Sequence, residues 1–211
     1  CPLGSGQCLV VAYHDAAHYG QAAGSAGTWE AILYASGEIV LQFLDTGAMY
    51  RAVAWACLQR KIDPQNMDAV ATLAQDIRID LNGEKVWVDS HDVSSEIRSL
   101  PVSQTTSIVA ANPLVRNVMV TLQRHIAVGK NIVTEGRDQG TVVFPNAECK
   151  FYLIADPEER AKRRHTELQG HGAEITIEEI LHQQQERDER DKNRSYAPLR
   201  CAPDAIPINT T

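Results

Sequence analysis

Lysine and arginine are missing altogether from the first 50 residues of this 211-residue chain; the first of either is Arg51. Long apolar runs are missing too. None approaches the roughly 20 residues that cross a bilayer, which excludes a helical membrane span. The start has no charged segment leading into an apolar one, so no secretory signal is expected. The cysteines, Cys1, Cys8, Cys57, Cys149 and Cys201, are scattered without CxxC spacing. That excludes a disulfide framework and a zinc site of the usual form, and predicts reduced thiols in a cytoplasmic protein. Positive charge is not in excess: 20 Lys and Arg against 27 Asp and Glu give −7. Broad electrostatic binding to DNA or RNA is therefore excluded, while a local basic pocket for a small anion is not. With 44% hydrophobic and 22% charged residues, the chain can bury one core, with small inserts, without disulfides or metals.

From Leu41 onward the pattern alternates short apolar runs with helical stretches. Leu41 to Leu44 reads as a strand, and Thr46 can cap a helix through Gln59. Met67 to Ala74 is helical. Ile77 to Leu81 and Val86 to Val88 alternate apolar with polar around Asn82-Gly83, the signal of a hairpin. Helix resumes at Ser103, and Asn112-Pro113 supplies an N-cap and a first helical residue for another helix to Val128. Asn131 to Thr134 and Lys150 to Ala155 are strands. Asp156-Pro157 opens a helix through Leu168, Gln169 to Gly172 breaks it, Ile177 to Arg194 is a long polar helix, and Ala205 to Ile208 is a last strand. Short strands alternating with helices predict an α/β fold with a parallel sheet.

Three charged clusters are candidates for chemistry. Glu135, Arg137 and Asp138 follow the Asn131–Thr134 strand, and ligands of open α/β sheets bind beyond the carboxyl ends of strands; the alternative is a pair that only fixes a loop. In the run Glu186 to Arg194, the residues Arg187, Asp191 and Arg194 share an arc of about 60° at helical spacing. Two guanidiniums around a carboxylate can clasp a phosphate while the carboxylate takes a sugar hydroxyl; the alternative is a solvated helix face. Arg160, Arg163 and Arg164 form the third cluster, ahead of Gly170 and Gly172, as a mobile flap needs. Three arginine clusters in an acidic chain point to a ligand with several phosphates, and phosphoryl transfer relies on such clamps.

The segments Leu44 to Arg51, Asp92 to Arg98, Gly136 to Pro145 and Glu186 to Arg194, in that order, closely resemble bacterial cytidylate kinases, over about Leu44 to Thr211. The resemblance implies a P-loop nucleoside monophosphate kinase fold, a parallel sheet with helices on both faces. Its core would be 1–76 and 104–211, with a small inserted sheet at 77–103 for the monophosphate and a lid at about 160–180. It implies transfer of the γ-phosphoryl group of ATP to CMP or dCMP with Mg²⁺, by a monomer that binds neither nucleic-acid polymer nor membrane. Thr46, Arg51 and Arg137 would lie at the monophosphate. Ser107, Arg116 and Asp138 would face the cytosine, since a carboxylate accepts from its amine and an arginine donates to its ring acceptors. Arg187, Asp191 and Arg194 would hold phosphate and sugar, and Arg160, Arg163 and Arg164 would close over ATP. Arg137, Arg187, Arg194 and Arg163 would be the catalytic cations; no residue is assigned to a metal. The family's final helix would lie beyond Thr211.

One motif departs from that family. Its P-loop, GPxGxGK[GST], presents backbone amides and a lysine to the phosphates. At family spacing Ala22 to Trp29 occupy that place: Gly27 matches as an ATP-binding residue, but Thr28 stands for the lysine. The other candidate, Cys1 to Cys8, has Gln7 there. The alternative to an enzyme is thus a non-catalytic CMP-binding homologue or a defective kinase; a purely structural protein would bind no CMP.

Overall fold

The computed structural model describes residues 9–13, 42–83, 85–130, 132–170 and 174–211; for residues 9–13 and 42 the backbone alone is described. The two P-loop candidates, with Gly27, lie outside the described residues. Of the break predicted over Gln169 to Gly172, Gln169 and Gly170 instead continue the helix Pro157–Gly170, and Gly172 lies outside the described residues.

Five parallel strands form the main sheet, in the order β2-β6-β1-β7-β8. They are β1 (Leu9–Tyr13), β2 (Gln42–Asp45), β6 (Ile132–Gly136), β7 (Cys149–Ile154) and β8 (Ile206–Asn209). The order jumps across β1 at the centre, and Ala12 pairs with Gly136 while Asp45 pairs with Glu135. All carboxyl ends therefore share one edge, with the crevice of a doubly wound sheet beyond it. Leu44, Ile132 and Thr134 are buried in neighbouring strands, as an interior parallel sheet requires. The strand Leu9–Tyr13 goes beyond the sequence reading; its five-residue apolar run suits a buried parallel strand but is too short for periodicity alone to assign.

Helix α1 (Thr46–Gln59) starts directly from β2 and buries Ala48, Met49, Ala52, Val53, Ala56 and Cys57. Its cap corrects the sequence reading. Asp45, not Thr46, accepts the backbone N–H of Ala48, at 2.8 Å. Thr46 is the first helical residue, and its Oγ1 donates to the carbonyl of Glu135 at 2.6 Å. Helix α2 (Met67–Asp76) is capped by Asn66.

The small antiparallel sheet, β3 (Ile79–Asn82), β4 (Lys85–Val88) and β5 (His91–Asp92), turns at Gly83, whose φ of +59° suits glycine. Ile77, expected in its first strand, instead ends α2. Helix α3 (Leu100–Val109) begins ahead of the expected Ser103, because Pro101 is tolerated in a first turn. Helix α4 (Pro113–Ala127) starts as expected, with Asn112 Oδ1 accepting from Leu114 N at 3.0 Å.

After β6 the chain makes one π-helical turn, Gln139–Val143, for which the sequence has no signal. Helix α5 (Pro157–Gly170) and helix α6 (Ile177–Asn193) then pack on each other. Thr176 and Glu179 form a reciprocal capping box at the start of α6. Arg194 leaves the helix as its C-cap, so its side chain is freed from the helical arc. No helix among the described residues is long and apolar enough to cross a membrane.

Candidate functional site

The carboxyl edge of the sheet gathers two connected groups of charge. The first is centred on Asp138, immediately after β6. Its carboxylate pairs with the Nη2 of Arg116 from α4, and the two side chains are 4% and 3% exposed. Arg116 also donates to the carbonyl of Ala110 at 3.0 Å and lies over the Tyr50 ring, 5.4 Å from its centroid. Burial alone would lower the Arg116 value. The Tyr50 hydroxyl and the Asp138 carboxylate outweigh it, so the guanidinium titrates above its usual range. Burial likewise pushes Tyr50 up. The Tyr50 hydroxyl and Arg116 Nε are buried with no hydrogen-bond partner among the described residues, and orphaned donors of this kind suit a polar ligand.

The second group is an alternating chain of ions. Arg160 Nη2 lies 3.0 Å from Asp188 Oδ2, and Asp188 Oδ1 lies 2.7 Å from Arg137 Nη1. The same Arg137 nitrogen is 3.1 Å from Asp191 Oδ2, and Asp191 Oδ1 is 3.0 Å from Arg194 Nη1. Arg194 Nε also donates to the Ala197 carbonyl. Burial, and then the positive charge of Arg116, hold Arg194 below the ordinary guanidinium value. Its Nη2 is buried without a partner among the described residues. Among the described residues this network sets three arginines against two aspartates, a concentration of guanidiniums that suits an anion.

The third feature sits where β2 and β6 end. Asp45 holds Arg51 at 2.8 Å, leaving Arg51 Nε buried without a partner among the described residues. Glu135 is half-buried beside them. Desolvation, helped by the negative charge of Asp45 and opposed by Arg51 and Arg98, pushes its carboxyl up to about 7. Gln139 ties this end together, accepting from Thr134 Oγ1 at 3.1 Å and donating to Gln123 Oε1 at 3.1 Å and Thr46 Oγ1 at 3.4 Å. Gly136 admits this: a Cβ there would meet Gln139 Nε2 and Thr46 Oγ1 at 2.7 Å each.

Several residues read from the sequence thus meet. Arg116 meets Asp138, and Arg137, Asp191, Arg194 and Arg160 share one network; Thr46 and Arg51 stand at the β2 end. Asp138 pairs with Arg116 of α4, and Arg137 with Asp188 and Asp191 of α6. Others stand apart. Ser107 donates to the carbonyl of Gln104 at 3.0 Å and accepts from Arg190 at 3.2 Å. Arg187 is half-exposed, 4.0 Å from Asp191. Arg163 pairs with Glu159 at 3.1 Å and donates to the Thr210 carbonyl at 2.6 Å, and Arg164 pairs with Glu167 at 2.6 Å. Sequence reasoning missed Asp188, Arg190, Tyr50 and Gln139. Asp188 and Arg190 shared one local signal, their place within the charged run.

A match to the family described as "Cytidylate kinase" spans residues 23–211, beginning ahead of the Leu44 from which the motifs are legible. The cytidylate kinase of Caldanaerobacter subterraneus subsp. tengcongensis is 45% identical over 169 residues, 80% of this chain and 75% of that protein. That of Rhodopirellula baltica is 43% identical over 173 residues, 82% and 76%. That of Clostridioides difficile is 43% identical over 171 residues, 81% and 79%. With the parallel sheet, its small inserted sheet and the arginine network in place, the chain belongs to the cytidylate kinase family.

Proposed function

We propose that this protein transfers the γ-phosphoryl group of ATP to CMP or dCMP. The observation that carries the reading is the buried Arg116–Asp138 pair beside the arginine–aspartate chain: a pyrimidine reader next to a phosphate clamp. Asp138 accepts from the exocyclic amine of cytosine, and Arg116 donates to the ring acceptors. Arg137, Arg194 and Arg51 take the acceptor phosphate, Asp191 takes a sugar hydroxyl, and Ser107 and Arg187 join when the ligand draws α6 inward. Arg160, Arg163 and Arg164, on a lid at about 160–180, bear on the donor phosphates. Residues 77–103 close over the monophosphate.

The acceptor phosphate oxygen is already anionic at neutral pH, so no strong general base is needed. Catalysis is positioning and charge neutralisation, the mode of most phosphoryl transfer. With no lysine before Arg51, the lid arginines are the cations left for the donor. Magnesium commonly enters such sites on substrate phosphates, with one or two carboxylates from the protein. Glu135, beside Asp45 at the strand ends, fits that modest demand. Among the described residues no group of three or more ligating side chains forms a dedicated metal cage. The ion would neutralise phosphate charge. A cytoplasmic setting, where ATP is abundant and thiols stay reduced, accords with this reading.

The test is ATP-dependent conversion of CMP to CDP, with AMP and UMP as competing acceptors. CMP-selective turnover is the expected outcome. Absence of turnover, or equal rates with all three acceptors, overturns the reading.

A further inference from the structure

Asp188 is the most buried acid of the charged run Glu186 to Arg194, its side chain 6% exposed. Its two oxygens serve different elements. Oδ1 takes Arg137, which follows β6, at 2.7 Å, and Oδ2 takes Arg160, near the start of α5, at 3.0 Å. Those arginines are themselves 12% and 3% exposed. Two guanidiniums brought this close repel each other at low dielectric, and the carboxylate that both of them meet offsets that repulsion. Stability alone is a weak reason to keep it, because buried ion triads are often replaceable by apolar residues without loss.

We infer that Asp188 is a positioning residue that sets the spacing between Arg137 and Arg160, so that both guanidiniums bear on one run of phosphates. The inference rests on the kinase reading above, in which Arg137 serves the acceptor and Arg160 the donor. Asp188 itself touches no substrate. Its effect passes through the fork geometry of its two partners, where a misplacement of about 1 Å can cost 100-fold.

Charge and position make opposite demands here, which allows a clean test. Neutralising Asp188 makes the network more positive. Were Asp188 acting by its charge alone, anions would then bind more tightly. Calorimetric titration of the wild-type chain and Asp188→Asn with inorganic tripolyphosphate and with cytidine separates the two. Positioning predicts at least tenfold weaker tripolyphosphate binding in the variant, with cytidine affinity unchanged within twofold. Unchanged or tighter tripolyphosphate binding, equal losses for both ligands, or no tripolyphosphate binding by the wild type overturns the inference. Tripolyphosphate carries no base, so failure of CMP selectivity in the turnover assay counts against the kinase reading alone. If far-UV circular dichroism shows that Asp188→Asn does not fold, Asp188→Glu carries the test. It keeps the charge but moves the carboxylate by one methylene, and a severalfold weaker tripolyphosphate affinity is expected; wild-type affinity overturns the inference.

Discussion

Asp138→Ala strands the guanidinium of Arg116 in the interior. The two side chains are 4% and 3% exposed, so water cannot replace the lost carboxylate. Removing one partner of a buried ion pair costs about 3–5 kcal/mol. Arg116 keeps the Ala110 carbonyl at 3.0 Å and the Tyr50 ring at 5.4 Å, which places the expected loss at the lower end, about 3 kcal/mol. At about 2–4 °C per kcal/mol for a domain of this size, the melting temperature should fall by about 6–12 °C. The double variant Arg116→Met/Asp138→Ala removes the stranded charge as well. Its remaining cost is about 1 kcal/mol, roughly that of one neutral hydrogen bond, so it should melt above the Asp138→Ala single variant. Affinity for CMP should fall about 10- to 150-fold in Asp138→Ala, the equivalent of about 1.5–3 kcal/mol for a hydrogen bond to a charged group, and further in the double variant, which also loses the Arg116 contact to the base, with ATP affinity little changed. Thermal unfolding of the wild type, the single variants Asp138→Ala and Arg116→Met, and the double variant, with calorimetric titration by CMP and ATP, measures all of this. A loss below about 1 kcal/mol for Asp138→Ala, or a double variant showing the sum of the single losses, would refute the assignment of a buried pair.

Gly136→Ala should destabilise by about 1–3 kcal/mol through overpacking, because the new methyl would lie 2.7 Å from both Gln139 Nε2 and Thr46 Oγ1; an unchanged denaturant midpoint would show that the Gln139 network yields freely. Glu135→Gln should remove a pH dependence. The folded-state value of Glu135 is raised to about 7, so the native chain binds the extra proton, and the associated stability is present at low pH and lost as pH rises through about 7. Between pH 5 and 8 the wild-type melting temperature should therefore fall relative to the variant, and parallel curves would contradict the raised value.

Much of this molecule was legible in local signals. The alternation around Asn82-Gly83 marked the small sheet, Asn112-Pro113 marked the start of α4, and the ordered motifs marked the family and most residues of the clamp. Each of these rests on neighbours within a turn or a strand pair, which is where periodicity and capping carry information. Adjacent candidates blurred the detail: Asp45 and Thr46 can each cap a helix, and the tertiary pull of the Glu135 carbonyl on Thr46 left the cap to Asp45.

The charged run of α6 shows where local reading stops. Its spacing put Arg187, Asp191 and Arg194 on one arc, yet it could not say which acid turns inward. Asp188 is buried because Arg137, 51 residues earlier, and Arg160 come to it from other elements. Asp138 likewise meets Arg116 across 22 residues rather than the arginine beside it. The sequence by itself determined the alternation of elements, the family and the chemical types in the clamp. Only the tertiary structure decided which charges pair, because an ion pair is chosen by proximity and desolvation in space, and neither is written in the spacing along the chain.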